Sequence, residues 1–222
     1  MPQLVVTGLN KTFGEGESLV HALSDIYLSV NKGEFLAIMG ASGSGKTTLL
    51  NCISTIDKPD SGSIVFEDFD MIQAKESQLA DYRAKNISYI FQSYNLLPTM
   101  NALDNVALPL VFRGVDVKKR IEIAKKYLTL VGLEKQIYQN GNAMSGGQQQ
   151  RVGIARALAM QPKIIFADEP TGNLDTKTSA EVLELMKHIV KEENQTLIMV
   201  THDNDIAKVA DRQIRIVDGK AV

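Results

Sequence analysis

Short apolar segments alternate with amphipathic ones along most of the chain. Between the apolar segments, Lys118–Val131 and Ala180–Lys191 carry apolar residues at helical spacing. Runs that are apolar on nearly every residue are typical of strands covered on both faces of a parallel or mixed sheet. Such runs occur at Phe35–Met39, Ile87–Phe91, Ile164–Ala167, Leu197–Val200 and Ile214–Val217. Strands that alternate with helices in this way predict an α/β fold.

Two stretches show strand-like alternation without helices between them. Residues 1–35 and Ser61–Asp70 contain turn signals at Asn31-Lys32-Gly33 and Asp60-Ser61-Gly62. This pattern predicts a small antiparallel β layer beside the main sheet. Asp218-Gly219 predicts a hairpin turn further along the chain.

The stretch from about 93 to 160 is mainly helical in pattern and predicts a helical arm. We expect one domain over residues 1–222. Its catalytic core is expected to comprise about 1–92 and 161–222, including the N-terminal β layer, and its helical subdomain about 93–160.

The composition is that of a globular protein, with 44% hydrophobic and 23% charged residues among 222. A formal net charge of −2 argues against general electrostatic binding of nucleic acid, so no nucleic-acid partner is expected. Cys52 is the single cysteine, which favours a reducing compartment. The sequence has no signal-like start and no apolar stretch near 18 residues. We therefore expect a cytoplasmic chain whose membrane role, if any, comes through a partner.

A glycine-rich segment follows the predicted strand Phe35–Met39 and precedes a predicted helix from Thr47. It has the phosphate-binding pattern G-x-x-x-x-G-K-[ST], and its residues are Gly40, Ala41, Ser42, Gly43, Ser44, Gly45, Lys46 and Thr47. Glycines let the backbone fold closely around phosphate oxygens, and the helix start directs N–H groups at the anion. Lys46 would contact the β- and γ-phosphates and Thr47 would bind Mg²⁺. The segment predicts binding of ATP with magnesium.

Carboxylates follow another apolar strand. Asp168 and Glu169 come after Ile164–Ala167, and the carboxyl ends of parallel strands share one edge of the sheet with the phosphate loop. Asp168 is then placed for Mg²⁺, and Glu169 for polarising an attacking water. His202 follows Leu197–Val200 at the same edge, where it could contact the γ-phosphate.

A second helix start is predicted at Ser145. Ser145 and Gln148 match a capping box, and Gly146 and Gly147 leave helix N–H groups open. The segment is either an ordinary capped helix or a second anion-binding helix start.

Taken together, these segments resemble the ATP-binding cassette (ABC) ATPases over essentially the whole chain. The elements stand in the family's order, which is the phosphate loop, Gln92 after a strand, Ser145-Gly146-Gly147-Gln148, Asp168-Glu169, Gly172-Asn173-Leu174-Asp175 and His202. The resemblance implies a P-loop cassette with a RecA-like mixed sheet core, a small antiparallel β subdomain and a helical subdomain.

The family resemblance also implies roles for individual residues. Glu169 and His202 would be catalytic, while Thr47, Gln92 and Asp168 would bind Mg²⁺. The nucleotide would be held by Phe13 stacked on adenine, Gly40, Ala41, Ser42, Gly43, Ser44, Gly45, Lys46, Thr47, Thr48 and Gln92, and by Ser145, Gly147, Gln148 and Asp175 of the other subunit in a head-to-tail homodimer. Two positions depart from the usual pattern, since Phe13 replaces the commoner tyrosine and Met144 replaces leucine before Ser145.

Within the family, several stretches resemble the MacB/LolD/FtsE group. They are Phe91-Gln92-Ser93-Tyr94-Asn95-Leu96-Leu97-Pro98, Ala107-Leu108-Pro109-Leu110, Gln148–Gln150 and Ala167–Asp175. Met39–Asn51 is also similar to BceA-type peptide-antibiotic modules. The resemblance implies an ATPase subunit beside a separate membrane permease, peripheral on the inner face of the cell membrane, that powers export, lipoprotein release or peptide-antibiotic resistance.

An FtsE-like ATPase that controls cell-wall hydrolysis would carry the same motifs and stays open as an alternative. The soluble ABC proteins of DNA repair insert long coiled coils between phosphate loop and signature, whereas residues 48–144 contain no extended heptad run. A small-molecule P-loop kinase would have no use for Ser145–Gln148.

Overall fold

The computed structural model describes residues 2–222, apart from the side chain of Glu17. Its strands are β1 (Pro2–Phe13), β2 (Val20–Asn31), β3 (Phe35–Met39), β4 (Ser61–Phe66), β5 (Phe69–Asp70), β6 (Ile87–Ile90), β7 (Ile164–Asp168), β8 (Thr196–Thr201), β9 (Arg212–Val217) and β10 (Lys220–Ala221). Its α-helices are α1 (Lys46–Ile53), α2 (Glu76–Asn86), α3 (Ala102–Phe112), α4 (Val117–Leu130), α5 (Gly146–Ala159), α6 (Thr176–Glu192) and α7 (Asn204–Ala207). Short 3₁₀ turns lie at Gly16–Ser18 and Gly141–Ala143.

The central sheet has the strand order β10-β9-β3-β8-β7-β6. All neighbours pair in parallel except β10, which forms an antiparallel hairpin with β9 around Asp218-Gly219. Every residue of β3 and β8 is buried, as expected for strands covered on both faces. The predictions of an α/β fold, a mixed sheet and a hairpin at Asp218-Gly219 are confirmed, with strand ends that differ from the predicted ones by at most two residues.

A second sheet, in the order β2-β1-β4-β5, is antiparallel throughout and matches the predicted β layer. The turn predicted at Asp60-Ser61-Gly62 is wrong for its last two residues, which begin β4. Gly62 has a φ of 102°, and a Cβ there would lie 2.6 Å from the Gly8 carbonyl oxygen. The glycine therefore serves a close approach of β4 to β1 rather than a reversal of the chain.

The strand β3 separates two apolar cores because its side chains alternate between faces. Leu36 and Ile38 pack into a core shared with α1 and the antiparallel sheet. Phe35, Ala37 and Met39 pack into a second core, which is shared with α3, α4, α5 and α6. The helices of 93–160 thus bury their apolar faces in one continuous core with the sheet, and the division of the chain at 93 and 160 stays a prediction.

Among residues 2–222, no helix is long and apolar enough to cross a membrane.

Candidate nucleotide-binding site

The phosphate loop lies between β3 and α1, as its sequence predicts. Gly45 is the N-cap of α1 with a φ of 104°, and a Cβ there would collide with the Ala22 carbonyl oxygen. Only glycine fits this position, because both the backbone angle and the available space exclude a side chain. The N–H groups that begin α1 are thereby left facing the loop, where they suit an anion.

Lys46 and Thr47 open α1 at the floor of this loop. The Lys46 side chain is buried and its Nζ donates a 2.8 Å hydrogen bond to the Ala41 carbonyl oxygen across the loop. Thr47 Oγ1 donates to Asp168 Oδ1 at 3.2 Å. The two residues thus direct an ammonium group and a hydroxyl toward the place where the loop would hold phosphates.

Asp168 ends β7, and Glu169 follows it at the same sheet edge. The Glu169 amide donates to the Val200 carbonyl oxygen at 3.0 Å, while its φ of 42° lies in the left-handed region. Glu169 Oε1 lies 2.9 Å from Nδ1 of His202, which comes just after β8. Burial raises the pKa of Asp168 above its ordinary value, and the hydrogen bond from Thr47 partly opposes that rise. The structure thus places Asp168 against Thr47, and Glu169 against His202.

Clefts at this edge of the sheet share Glu169 as a wall. One of about 430 Å³ is lined by Phe13, Ser42, Gly43, Gly45, Lys46, Thr47, Thr48 and Glu169, together with Val20, His21, Ala22, Asp218 and Gly219. A neighbouring cleft of about 610 Å³ joins Gly40, Ala41 and Ser42 to Glu169 and His202. The Phe13 ring, at the end of β1, is 45% exposed, so an aromatic face borders the same cleft as the phosphate loop.

Gln92 follows β6 and is tied to the segment that leads into α6. Its carbonyl oxygen accepts a 3.0 Å hydrogen bond from Asn173 Nδ2. Beyond Ser93, the residues Tyr94 and Asn95 have φ values of 58° and 48°. Their carbonyl oxygens accept hydrogen bonds of 2.8 and 2.6 Å from Arg156 of α5. Sequence reasoning missed Arg156, whose partners lie about 60 positions away along the chain.

Ser145 caps α5 as predicted. Its Oγ accepts from the Gln148 amide at 3.3 Å, and Gln148 Oε1 accepts from the Ser145 amide at 3.0 Å. Gly147 packs so closely on α6 that a Cβ would collide with the Thr178 methyl group. Asp175 caps α6 by accepting from Thr178 Oγ1 at 2.6 Å and from its amide at 3.0 Å. The hydrogen bond from Thr178 Oγ1 is the main reason that the pKa of Asp175 lies below its ordinary value.

The structure therefore brings one set of the predicted residues together and leaves another apart. The phosphate loop, Phe13, Asp168, Glu169 and His202 meet at one edge of the central sheet. Of the residues described, none of Ser145, Gly147, Gln148 and Asp175 lines the cleft of about 430 Å³.

The oxygen atoms at this edge suit Mg²⁺. Thr47 and Asp168 supply a hydroxyl and a carboxylate 3.2 Å apart, and Mg²⁺ usually takes one or two such ligands while phosphates and water fill its other positions. In the described part of the chain no group of three or more His, Cys, Asp or Glu side chains could hold a metal alone. The donors thus fit a metal that arrives with a phosphate ligand.

Comparison with known proteins agrees with this arrangement. The protein-family profile described as ABC transporter matches residues 23–172. The lipoprotein-releasing system ATP-binding protein LolD of Geobacter metallireducens is 43% identical over 219 residues, which cover 99% of this chain and 97% of that protein. The macrolide export ATP-binding/permease protein MacB of Aggregatibacter actinomycetemcomitans is 47% identical over 214 residues. That match covers 96% of this chain and only 33% of the MacB protein.

A solved structure shares the fold across the chain. The ATP-binding cassette MJ0796, as a dimer in a post-hydrolysis state bound to ADP and Pi, superposes with a TM-score of 0.90 at 39% identity. The superposition covers 98% of this chain and 96% of that one.

Proposed function

Because this chain belongs to the ABC transporter family, as an ATP-hydrolysing subunit of the MacB and LolD type, we propose that two copies of it close around Mg-ATP and drive a separate membrane permease. ATP binding would bring the copies together, and hydrolysis would let them part. The permease would convert this closing and opening into export or lipoprotein release.

One observation carries the proposal of a shared site. The helix starts at Lys46 and at Gly146 both suit an anion. Ser145 and Gln148 do not border the described phosphate-loop cleft of their own chain. A second copy in head-to-tail orientation would supply them, and the solved relative MJ0796 forms a dimer around its nucleotide products.

Within such a site, Glu169 and His202 would be the residues that promote hydrolysis of ATP. The Glu169 carboxylate would accept a proton from the water that attacks the γ-phosphate. His202 would hold that carboxylate through its 2.9 Å contact. Lys46 and the N–H groups of α1 would stabilise the charge on the transferred group. Thr47 and Asp168, which are in contact, and Gln92 would hold Mg²⁺, which would neutralise phosphate charge.

The membrane partner is inferred from the relatives and from the surface near Gln92. The LolD relative is an ATP-binding protein of nearly this length, and the MacB relative is an ATP-binding/permease protein about three times as long. Leu97 and Val111 are each 42% exposed and Phe112 is 84% exposed, so the chain from Gln92 to the end of α3 presents apolar side chains, and this is the surface that would contact the permease. The relatives described above do not specifically support the FtsE-like alternative.

The substitution Glu169→Gln tests the shared site. It keeps the shape of the side chain but removes the proton acceptor, so we expect ATP to bind and hold a dimer while turnover falls about 10²- to 10⁴-fold. Size-exclusion chromatography with and without Mg-ATP measures the dimer, and phosphate release measures turnover.

Glu122→Gln, an exposed position on α4, is the matched control and should behave as the wild type in both measurements. A Glu169→Gln protein that binds Mg-ATP yet elutes as a monomer would contradict the two-copy site.

A further inference from the structure

The end of β1 that carries Phe13 extends beyond the strand beside it. On one side Thr12 and Phe13 pair with His21 and Val20 of β2. On the other side the pairing of β1 with β4 ends at Asn10 and Ser61. The backbone of the last residues of β1 therefore has no strand partner on that side, although this is the part of the strand that presents the aromatic ring to the cleft.

Asp60 supplies hydrogen bonds to this end of β1 on the side where no strand pairs with it. Its amide donates to the Asn10 carbonyl oxygen at 2.9 Å. Its Oδ2 accepts from both the amide and the hydroxyl of Thr12, each at 2.6 Å. One side chain thus fixes the backbone of β1 directly before Phe13.

Asp60 also holds a cation against the ring. Lys11 Nζ lies 3.6 Å from Asp60 Oδ1, donates to the Lys58 carbonyl oxygen at 2.7 Å and stands 5.2 Å from the centroid of Phe13. The pairing of β1 with β2 shifts register between Lys11 and Thr12, and the 5.2 Å distance shows that the ammonium group nevertheless lies beside the ring. Phe13 lines the phosphate-loop cleft and Lys11 does not, so the ammonium group covers the ring from outside the cleft.

We propose that Asp60 is a positioning residue for the nucleotide base, because it holds Thr12 and Lys11 and through them fixes the Phe13 ring in its stacking position. The inference rests on the proposed binding of ATP in this cleft. Asp60 lies in the loop between α1 and β4, so the base end of the site is anchored to the same helix that begins at Lys46.

A ring that is already in place loses less freedom when a base stacks on it, and this preorganisation appears as affinity. The ionised carboxylate accepts the Thr12 bonds more strongly than the protonated acid would. Its hydrogen bond with the Thr12 hydroxyl is the main cause that holds the pKa of Asp60 below the ordinary value. The anchor is therefore complete throughout the neutral pH range.

The test compares a ligand with a base and a ligand without one. Binding of Mg-ATP and of inorganic tripolyphosphate with magnesium is measured by titration calorimetry for the wild type, Asp60→Ala and Phe13→Ala. We expect Asp60→Ala to weaken ATP binding about 3- to 10-fold, the range of one or two hydrogen bonds, and to leave tripolyphosphate binding unchanged. Phe13→Ala should lose about 5- to 150-fold in affinity for ATP and should bind tripolyphosphate as the wild type does.

The double variant Phe13→Ala/Asp60→Ala tests whether Asp60 affects ATP binding through the Phe13 ring. If Asp60 acts through the ring, its removal should have no further effect once the ring is absent. Asp60→Asn, which keeps an acceptor oxygen and the shape, serves if the alanine variant does not fold, and it should lose a smaller factor. Glu67→Ala, at the far end of β4, makes the same change in net charge and should bind both ligands as the wild type does.

The outcomes separate the inference from the proposed function. Equal losses of affinity for ATP and for tripolyphosphate would overturn the role of Asp60 while leaving the ATP site itself intact. The same holds if the binding free energy lost by the double variant equals the sum of the losses of the two single variants. A wild type that binds neither ligand would overturn the nucleotide site, and the role of Asp60 with it.

Discussion

At the scale of single residues, the site depends on short contacts between groups that lie far apart in the sequence. Thr47 and Asp168 meet at 3.2 Å, and Glu169 and His202 at 2.9 Å. The strand-to-loop positions of these residues were predictable, because parallel strands deliver their ends to one sheet edge. The hydrogen bond from Lys46 to the Ala41 carbonyl oxygen was not predictable, since the phosphate-loop pattern indicates a contact of this lysine with phosphate and not with the backbone of the loop.

Lys46→Ala should abolish tight binding of Mg-ATP. The buried ammonium is a positive side chain at the floor of the loop, and without it the phosphate charge would be left to backbone N–H groups and Mg²⁺. Titration calorimetry with Mg-ATP provides the measurement. Lys163→Ala, at an exposed ion pair with Glu67, removes the same charge elsewhere and should bind as the wild type does; a near-normal affinity for Lys46→Ala would remove that residue from the site.

At the scale of elements, the helix start at Ser145 was predicted, and its capping box is present. This motif is local, so sequence spacing suffices to find it. The helical pattern at Ala180–Lys191 identified α6 but not its start, which lies four residues earlier, after the cap residue Asp175. The contact of Arg156 with the loop after Gln92 joins residues about 60 positions apart, and no local pattern reports it. The strained backbone at Tyr94 and Asn95 was missed for the same reason, because tertiary contacts impose it.

Arg156→Met should destabilise the fold by about 2–3 kcal/mol. The guanidinium is mostly buried, which lowers its pKa below the ordinary value, and it bonds two carbonyl oxygens in a strained turn. Hydrogen bonds from charged donors contribute about 1.5–3 kcal/mol each, and the strain at Tyr94 and Asn95 would be released when they are lost. Urea unfolding measures the change.

Arg156→Lys should lose roughly half as much, because an ammonium cannot bridge both carbonyls as the planar fork does. Arg120→Met on α4 is the control, since the described residues show no side-chain hydrogen bond or ion pair for Arg120. An unfolding midpoint for Arg156→Met equal to that of the control would show that the turn at Tyr94 and Asn95 does not depend on Arg156.

At the scale of the whole molecule, the helix starts at Lys46 and Gly146 both suit an anion, yet the described phosphate-loop cleft contains only the first of them. The family resemblance implied the head-to-tail pairing that would join them, and the pattern of strands and helices alone did not. The continuous core between the helices of 93–160 and the sheet was also beyond sequence reasoning, because helix periodicity identifies a buried face but not the surface that covers it.

Mixed dimers test the pairing across the two copies. In a Glu169→Gln background, Lys46→Ala disables the phosphate loop and Ser145→Arg blocks the helix start of α5 by bulk. Neither protein should dimerise alone with Mg-ATP, but an equimolar mixture should, because one intact phosphate loop then faces one intact Ser145. Light scattering of the separate and mixed proteins measures this, and a mixture that remains monomeric would mean that each chain completes its own site.

Two hydrogen bonds near Gln92 limit how far helix α5 can move relative to Asn173. The Gln92 carbonyl is held by Asn173, while the Tyr94 carbonyl is held by Arg156 of α5. Two residues span at most about 7 Å even when fully extended, so Ser93 is a tether with almost no slack. Sliding of α5 relative to Asn173 beyond the combined reach of this stretch and of the Arg156 and Asn173 side chains must therefore begin with the breaking of one of these bonds. The movement that the proposed permease could draw from this surface would be bounded by one short stretch of backbone and by the two side chains that hold it.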